Sequence, residues 1–235
     1  NFDKPTIIAN YNHRFKIGQI LTDAGILAEN IILEPTAKNT APAIASITSL
    51  YGPEDIICVL PSDHHIMNEK IFIKCLVEAS QIAEKEYIVT LGIKAKDAST
   101  EYGYIIPKYM QEPNLILVDK FHEKPSKSKA LHLISSGAFW NAGIIVVKIK
   151  TLIKLFKSYT PDLYKTVSMS VKKSYRDLDF IKLDESSFNK LESISFDIAI
   201  LEKAKNVAVY PIDVGWSDLG SFLSLSKIQD KVGNV

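Results

Sequence analysis

Short apolar runs alternate with segments of helical periodicity along the first hundred residues. The apolar runs predict strands at residues 6–9, 31–33, 55–60 and 87–93. Between them, apolar positions recur every three or four residues and predict helices at 13–24, 40–50 and 69–85. The largely apolar run at 55–60 is typical of a strand covered on both faces. This alternation predicts βαβ units and a mixed, mostly parallel central sheet in an α/β fold.

The second half of the chain has a less regular pattern. Apolar runs predict strands at residues 102–107, 115–122, 143–148 and 207–212, and helical spacing appears at 127–135, 151–159 and 162–170. Residues 174–191 are charged and irregular, and Ser195 is placed to cap a helix that runs to about residue 204. We therefore expect one α/β domain over residues 1–235 with an inserted, substrate-facing half.

Composition narrows the classes of function. The chain has 235 residues, 46% of them hydrophobic, and a formal net charge of +1, so no basic face indicates nucleic acid. No apolar run approaches the roughly 18 residues that a membrane helix needs. The two cysteines, Cys58 and Cys75, lie in apolar segments and are expected to be reduced core residues. Together with an amino terminus unlike a signal peptide, they predict a cytoplasmic protein.

Two aspartates follow predicted strands. Asp63 comes after the apolar run that Pro61 breaks, and Asp218 lies in a glycine-bounded loop after the last strand. Ligands of open α/β sheets bind outside the carboxyl ends of strands, and Mg²⁺ takes one or two carboxylates together with substrate phosphates. The pair therefore indicates a magnesium site, although each aspartate alone is equally typical of a helix or turn cap.

His64 and His65 beside Asp63 invite two other interpretations. A zinc site needs a third protein ligand, and none is evident in the sequence. The Asp-His-His triplet is also similar to that of the DHH phosphoesterases, but the further aspartate motifs of those enzymes are not found. Both interpretations are disfavoured.

Polar groups suited to a hydroxylated, phosphorylated ligand follow other strands. Glu123 can accept hydrogen bonds from sugar hydroxyls, and Lys124 can contact a phosphate. Asn141 offers a donor and an acceptor, and Gly103 lies in a tight turn that can admit a ligand. A solvated strand end and a plain hairpin explain the same residues, so spacing alone leaves their role open.

Seven segments in order resemble the sugar-1-phosphate nucleotidyltransferases, and specifically the bacterial mannose-1-phosphate guanylyltransferases. They cover nearly the whole chain, which makes coincidence a poor explanation. The segments are LEPTAKNTAPAIA at 33–45, VLPSDH at 59–64, EYGYI at 101–105, VDKFHEKP at 118–125, FWNAG at 139–143, SFDIA at 195–199 and VGWSDLGS at 214–221.

The resemblance implies a Rossmann-like, GT-A-like domain and a defined reaction. Mannose 1-phosphate would attack the α-phosphate of GTP to give GDP-mannose and pyrophosphate, by positioning and charge neutralisation. Asp63 and Asp218 would hold Mg²⁺, and Lys124 would meet the sugar phosphate. Glu123, Asn141 and the Gly103 backbone would meet the mannose hydroxyls. Residues 1–100 would form the nucleotide-binding half and residues 101–235 the sugar-phosphate-binding half.

Glu34 opens the segment that the resemblance places against the base. Guanine presents two adjacent donors on its pairing edge, which one carboxylate can accept together. Uracil and thymine present one N–H between two acceptors, which a carboxylate repels. Glu34 therefore favours GTP over UTP or dTTP, with Asn39, Thr40 and Ala43 lining the same pocket.

One family feature is missing from this sequence. The family's first strand ends in a glycine-rich loop that carries an arginine and cradles the nucleotide phosphates. No Gly-x-Gly-x-Arg segment occurs here, so we expect a domain truncated at its amino terminus relative to the family. A homo-oligomer or a separate chain could supply that segment. A relative that binds nucleotide sugar without turnover, a decayed gene product and an enzyme for another hexose 1-phosphate stay open.

Overall fold

The structure is a computed structural model that describes residues 2–108 and 115–218. Residues 219–221, which end the seventh motif, lie outside the described residues. The strands are β1 (Thr6–Asn10), β2 (Asn30–Glu34), β3 (Ile56–Val59), β4 (His65–Ile66), β5 (Ile88–Lys94), β6 (Tyr104–Pro107), β7 (Ile116–His122), β8 (Phe139–Lys148), β9 (Tyr175–Asp177), β10 (Phe180–Lys182), β11 (Val207–Ile212) and β12 (Trp216–Ser217). The α-helices are α1 (Arg14–Asp23), α2 (Thr40–Ser46), α3 (Glu69–Ala83), α4 (Lys127–Ser135), α5 (Ile149–Tyr159), α6 (Pro161–Lys172) and α7 (Glu185–Phe188).

The chain folds into two compact units that interleave along the sequence. Unit 1 comprises Asn1–Gly52 and Ile153–Lys203, and unit 2 comprises Pro53–Leu152 and Ala204–Val235. The halves expected at residues 1–100 and 101–235 were defined by ligand rather than by packing, and the units divide the chain at other places. The assignment of those halves to nucleotide and sugar phosphate stays a prediction.

Unit 1 contains a four-stranded sheet in the order β1-β2-β10-β9. The strands β1, β2 and β10 run parallel, and β9 is antiparallel to β10. β9, β10 and α7 lie in the stretch that was expected to be irregular, so that expectation is wrong. β9 and β10 are only three residues long, and a strand this short shows no readable alternation of apolar and polar positions.

The helices of unit 1 differ in how far they are buried. All five predicted apolar-face positions of α2 and the turn after it are buried: Ala41, Ile44, Ala45, Ile47 and Thr48. By contrast, α1 has no buried residue, although its apolar spacing predicted a covered face. Gly25 follows α1 at φ 63°, the left-handed conformation that favours glycine after a helix end, as predicted.

Unit 2 contains a six-stranded sheet in the order β3-β8-β5-β11-β7-β6, with β6 also pairing to β8. Among the described strands of this sheet, only β5 and β11 pair in parallel. The α/β fold with mixed sheets is confirmed, but the mostly parallel character holds for unit 1 and not here. β3 is half-buried and pairs only with β8 among the described strands, so it is not the doubly covered strand expected. An apolar run does not encode the direction or number of its partners.

The core of unit 2 forms where α3 and α4 pack on this sheet. Leu76 and Ala79 of α3 lie against Val89, Leu91 and Ile144 of the central strands, all of them buried. α4 and β11 begin and end where the sequence predicted. Within residues 2–108 and 115–218, no helix is long and apolar enough to cross a membrane.

Candidate functional site

A two-stranded ribbon in unit 2 brings the two predicted aspartates together. β4 and β12 pair antiparallel, with Trp216 opposite Ile66 and Ser217 opposite His65. The next position in this register sets Asp218 opposite His64, beside Asp63 in the chain. Both carboxylates act electrostatically on the His64 ring, which places both of them near it. Two aspartates far apart in sequence thus share one end of unit 2.

His64 is a neutral acceptor in this ribbon. Trp216 Nε1 donates a hydrogen bond of 3.1 Å to His64 Nδ1, which requires an unprotonated Nδ1 and places the imidazole proton on Nε2. Burial lowers the pKa of His64, and the charges of Asp63 and Asp218 oppose this effect. The ring therefore orients the ribbon rather than adding positive charge beside the carboxylates.

Tyr102 joins the same group from the turn before β6. Its hydroxyl donates a 3.0 Å hydrogen bond to Asp218 Oδ1. Its ring centroid lies 5.0 Å from that of Trp140 and 5.4 Å from that of Trp216. Burial and the Asp218 carboxylate raise the pKa of Tyr102 to about 12, so the hydroxyl keeps its proton. We call Asp63, His64, Tyr102, Trp216 and Asp218 the aspartate cluster.

The donor set of the aspartate cluster fits an open magnesium site. Among the described residues there is no group of three or more His, Cys, Asp or Glu side chains that could hold a metal ion. Mg²⁺ demands little of the protein, since it binds through one or two carboxylates, with waters and substrate phosphates completing its shell. Asp63 and Asp218 supply those carboxylates.

Three predicted sugar-contacting residues converge directly beside the aspartate cluster. The Asn141 N–H donates to the Gly103 carbonyl over 2.8 Å. A Cβ on Gly103 would lie 2.8 Å from Glu123 Oε2 and 3.6 Å from Asn141 Cβ, so only a glycine leaves that approach open. We call Thr90, Gly103, Glu123, Asn141 and Gly143 the asparagine cluster. Gly103 follows Tyr102 in the chain, so the two clusters adjoin.

A bulge in β8 fixes the Asn141 side chain. The pairing of β5 with β8 shifts register between Thr90 and Gly92, and Gly143 in the bulged segment has φ 65°. Thr90 Oγ1 donates to Asn141 Oδ1 over 2.9 Å, and the Gly143 N–H donates to the same oxygen over 3.1 Å. Since a backbone N–H can only donate, Oδ1 is identified as the acceptor. The Asn141 acceptor that was expected to serve a ligand is thus occupied by two donors of the chain.

Lys124 lies next to Glu123 at the end of β7, and its side chain is exposed. Its φ of 40° is uncommon for a residue with a Cβ. Such a conformation costs on the order of 1–3 kcal/mol and is concentrated at functional sites. The strained backbone is consistent with a functional role for Lys124, and its contact with a phosphate stays a prediction.

Glu34 stands out in unit 1. It ends β2, only 8% of it is exposed, and its Oε1 atom has no hydrogen-bond partner among the described residues. Burial raises the pKa of the Glu34 carboxyl to about 7. A buried acceptor without a partner is costly in a folded protein, which makes Glu34 the strongest candidate in unit 1 for a group completed by a ligand.

The other predicted base-pocket residues surround the start of α2. Asn39 has φ 67° and ψ −170°, and its side chain accepts a hydrogen bond from the Thr40 N–H. The Thr40 hydroxyl accepts a hydrogen bond from the Phe196 N–H over 2.8 Å, so it has a structural task. Ala43 is half-buried on α2. Their predicted contact with a base stays a prediction.

A sequence profile described as Nucleotidyl transferase matches residues 1–234. The chain belongs to the nucleotidyl transferase family. It is 37% identical to mannose-1-phosphate guanylyltransferase 2 of Escherichia coli O157:H7, over 99% of this chain and 51% of that protein. It is 36% identical to the mannose-1-phosphate guanylyltransferase of Salmonella muenchen, over 97% of this chain and 50% of that protein. The chain spans about half the length of the curated relatives it matches.

Solved structures with this fold confirm the architecture of the nucleotidyl transferase. A mannose-6-phosphate isomerase from Helicobacter pylori superposes with a TM-score of 0.82 at 27% identity, covering 92% of this chain and 84% of its own. A protein described as mannose-1-phosphate geranyltransferase from Thermus thermophilus also gives 0.82, at 26% identity, covering 95% and 63%. The family resemblance inferred from the seven motifs is therefore confirmed.

Two residues of the candidate site, Tyr102 and Thr90, could not be identified from the sequence. Residues 101–104 were interpreted as a turn around Gly103, and Tyr102 was given no partner. Thr90 lies in the middle of a predicted strand, where a buried threonine is unremarkable. Neither contact leaves a local signal, because each joins side chains more than fifty positions apart.

Proposed function

We propose that this chain carries the residues that transfer GMP from GTP to mannose 1-phosphate, giving GDP-mannose and pyrophosphate. The names and similarity of the relatives support this reaction. The observation that carries the proposal is the junction of the two clusters. Tyr102 bonds to Asp218 while the next residue, Gly103, bonds to Asn141. Groups suited to a metal-bound phosphate thus adjoin groups suited to a sugar.

In this proposal, Asp63 and Asp218 hold Mg²⁺ against the nucleotide phosphates. The bound ion supplies neutralisation of the negative charge that builds up on the phosphate oxygens. Two carboxylates near the same histidine ring in unit 2 are the donors that such an ion prefers. The neutral His64 and the protonated Tyr102 leave these carboxylates as the charged groups of the aspartate cluster.

The asparagine cluster binds mannose 1-phosphate. Glu123 accepts hydrogen bonds from sugar hydroxyls, and Asn141 meets the sugar in the orientation that Thr90 and Gly143 give its side chain. Gly103 lets the sugar approach the backbone, and Lys124 contacts the sugar phosphate. A phosphate oxygen of the bound sugar then attacks the α-phosphorus of GTP. The bond from the α-phosphorus to the oxygen that bridges the α- and β-phosphates breaks, and pyrophosphate leaves. No covalent enzyme intermediate forms.

Glu34 selects the base in this proposal. Its ionised carboxylate accepts both donors of the guanine pairing edge, which gives Oε1 the hydrogen bond that no described residue provides. Asn39, Thr40 and Ala43 complete the pocket. UTP and dTTP are disfavoured because their carbonyls would face a buried carboxylate.

We further propose a cytoplasmic location, which the free state of the half-buried Cys58 and Cys75 supports. A homo-oligomer, or a separate chain that supplies a phosphate-binding loop, stays a prediction of the sequence.

The test is pyrophosphate release by the purified chain with GTP, mannose 1-phosphate and Mg²⁺. We expect release that needs GTP rather than UTP or dTTP and that Asp218→Asn abolishes. Glucose 1-phosphate in place of mannose 1-phosphate tests the hexose. If a folded chain releases pyrophosphate at the same rate with any of these nucleotides, or at the same rate after Asp218→Asn, the proposal is refuted.

A further inference from the structure

The Tyr102 hydroxyl is the neighbour that holds Asp218 in the aspartate cluster. Its 3.0 Å hydrogen bond engages Oδ1 of the carboxylate. The ring is half-buried and packs against both Trp140 and Trp216. The hydroxyl therefore cannot swing away without disturbing both tryptophans.

Asp218 needs such support because the neighbouring strand pairing does not fix its side chain. It follows β12, which has two residues and pairs only with the two-residue β4 among the described strands. So short a ladder restrains the main chain but not the torsion angles of the next side chain. A donor fixed from another part of unit 2 restrains them.

We propose that Tyr102 is a positioning residue for Asp218, whose carboxylate its hydroxyl orients toward a divalent cation shared with Asp63. This inference rests on the proposed function, since it assigns the cation to that site. Tyr102 itself touches neither the cation nor the reacting atoms. Its effect passes through Asp218 alone.

The chain offers a matched control two residues away. The Tyr104 hydroxyl donates to the backbone carbonyls of Ser99, over 2.9 Å, and of Asp97, over 3.4 Å, and its side chain is fully buried. Tyr104→Phe removes a buried hydroxyl without touching an aspartate side chain. Tyr102→Phe removes a hydroxyl and keeps the ring between the two tryptophans.

The test is a titration of the chain with Mn²⁺ as the probe, reading free Mn²⁺ by electron paramagnetic resonance in the presence of GTP, against a blank of GTP alone. We expect Tyr102→Phe to weaken protein-dependent Mn²⁺ binding about tenfold, the order of one hydrogen bond to a charged group. Tyr104→Phe should bind Mn²⁺ like the wild type. In steady state, Tyr102→Phe should raise the Mg²⁺ concentration needed for half-maximal rate and leave the KM for mannose 1-phosphate unchanged.

A double-mutant cycle separates positioning from a general structural role. In an Asp218→Asn background, Tyr102→Phe should change Mn²⁺ binding no further, because the two residues act as one unit. Replacing Tyr102 by 4-aminophenylalanine, which restores a donor at the same place, should recover most of the binding. Additive losses, or no recovery by a folded variant, would overturn the inference.

The failures of the two proposals are distinguishable. If the wild-type chain binds Mn²⁺ and Tyr102→Phe binds it equally well or more tightly, the positioning role falls and the proposed function stands. If the wild-type chain adds no Mn²⁺ binding to that of GTP, the cation assignment falls, and the positioning role with it.

Discussion

Thr90 Oγ1 donates a 2.9 Å hydrogen bond to Asn141 Oδ1, and this contact decides what Asn141 offers a ligand. Thr90 is fully buried in the centre of the six-stranded sheet. With the Gly143 N–H on the same oxygen, the amide is held in one orientation. A buried residue thus sets the orientation of one that a sugar is proposed to meet.

Thr90→Val should weaken sugar binding because it removes that donor at constant volume. We expect the KM for mannose 1-phosphate to rise about three- to tenfold, the order of one neutral hydrogen bond, with little change in the KM for GTP. The measurement is pyrophosphate release at varied sugar phosphate.

The control for this variant is Thr151→Val. Thr151 is also buried, and its hydroxyl has no hydrogen-bond partner among the described residues. Its replacement by an apolar side chain of the same shape should leave both KM values unchanged and should not lower stability. An equal rise in KM for both variants would show that the Thr90 effect is not specific.

Gly103→Ala should push the Glu123 carboxylate out of place. The new Cβ would lie 2.8 Å from Glu123 Oε2, a distance that real contacts do not tolerate, and the flexible carboxylate is the part that can move. We expect a several-fold rise in the KM for mannose 1-phosphate with a small loss of stability. Substrate kinetics and thermal unfolding of the same sample measure the two effects separately.

Gly18→Ala is the matching control for that glycine. A Cβ at Gly18 meets no atom within 4 Å, and the residue lies inside α1. Alanine should therefore stabilise the helix by up to about 1 kcal/mol and leave the kinetics unchanged. If Gly103→Ala, like Gly18→Ala, leaves the KM for mannose 1-phosphate unchanged, the close approach of Glu123 to Gly103 does not affect sugar binding.

Much of this architecture could be predicted from local patterns. α4, β11 and the buried face of α2 follow from the apolar pattern of their own residues. β9 and β10 could not be predicted in this way, because a strand of three residues is too short to show a periodic pattern. The antiparallel pairing of β3 with β8 was missed for another reason. Partner direction depends on the whole sheet and leaves no mark on one strand.

The candidate site divides in the same way. Asp63 and Asp218 could be proposed as site residues because each follows a predicted strand, where ligands of such sheets bind. The bonds of Tyr102 to Asp218 and of Thr90 to Asn141 depend on which strands become neighbours. The family resemblance supplied the candidate site residues, whose roles stay predictions, and the fold supplied the contacts that orient their side chains.

The protonation of Glu34 should make stability depend on pH. Burial raises the pKa of this carboxyl from 4.5 to about 7 in the folded state, while the unfolded chain keeps the lower value. The neutral form is therefore favoured by folding. Its contribution is fully present below pH 4.5, declines as pH rises, and is lost above the folded pKa of about 7.

Measured against Glu34→Gln, the free energy of unfolding of the wild type should fall by about 3 kcal/mol between these limits, since one pKa unit is worth about 1.4 kcal/mol. Chemical denaturation of both chains at a series of pH values gives this difference directly. A difference that does not change from pH 4 to pH 8 would mean that the Glu34 pKa is not raised.

Glu34→Gln should also relax the choice of base. A glutamine presents one acceptor and one donor in place of two acceptors, so it satisfies only one of the two guanine donors and can donate to a uracil carbonyl. We expect the ratio of GDP to UDP affinity, measured by calorimetry, to fall at least tenfold in this variant.

In the wild type, GDP affinity should rise with pH across the Glu34 pKa of about 7, because only the ionised carboxylate accepts both donors. Glu29→Gln, an exposed change in the same unit, should leave the ratio and its pH dependence intact. If Glu34→Gln also leaves them intact, the base is read by another group.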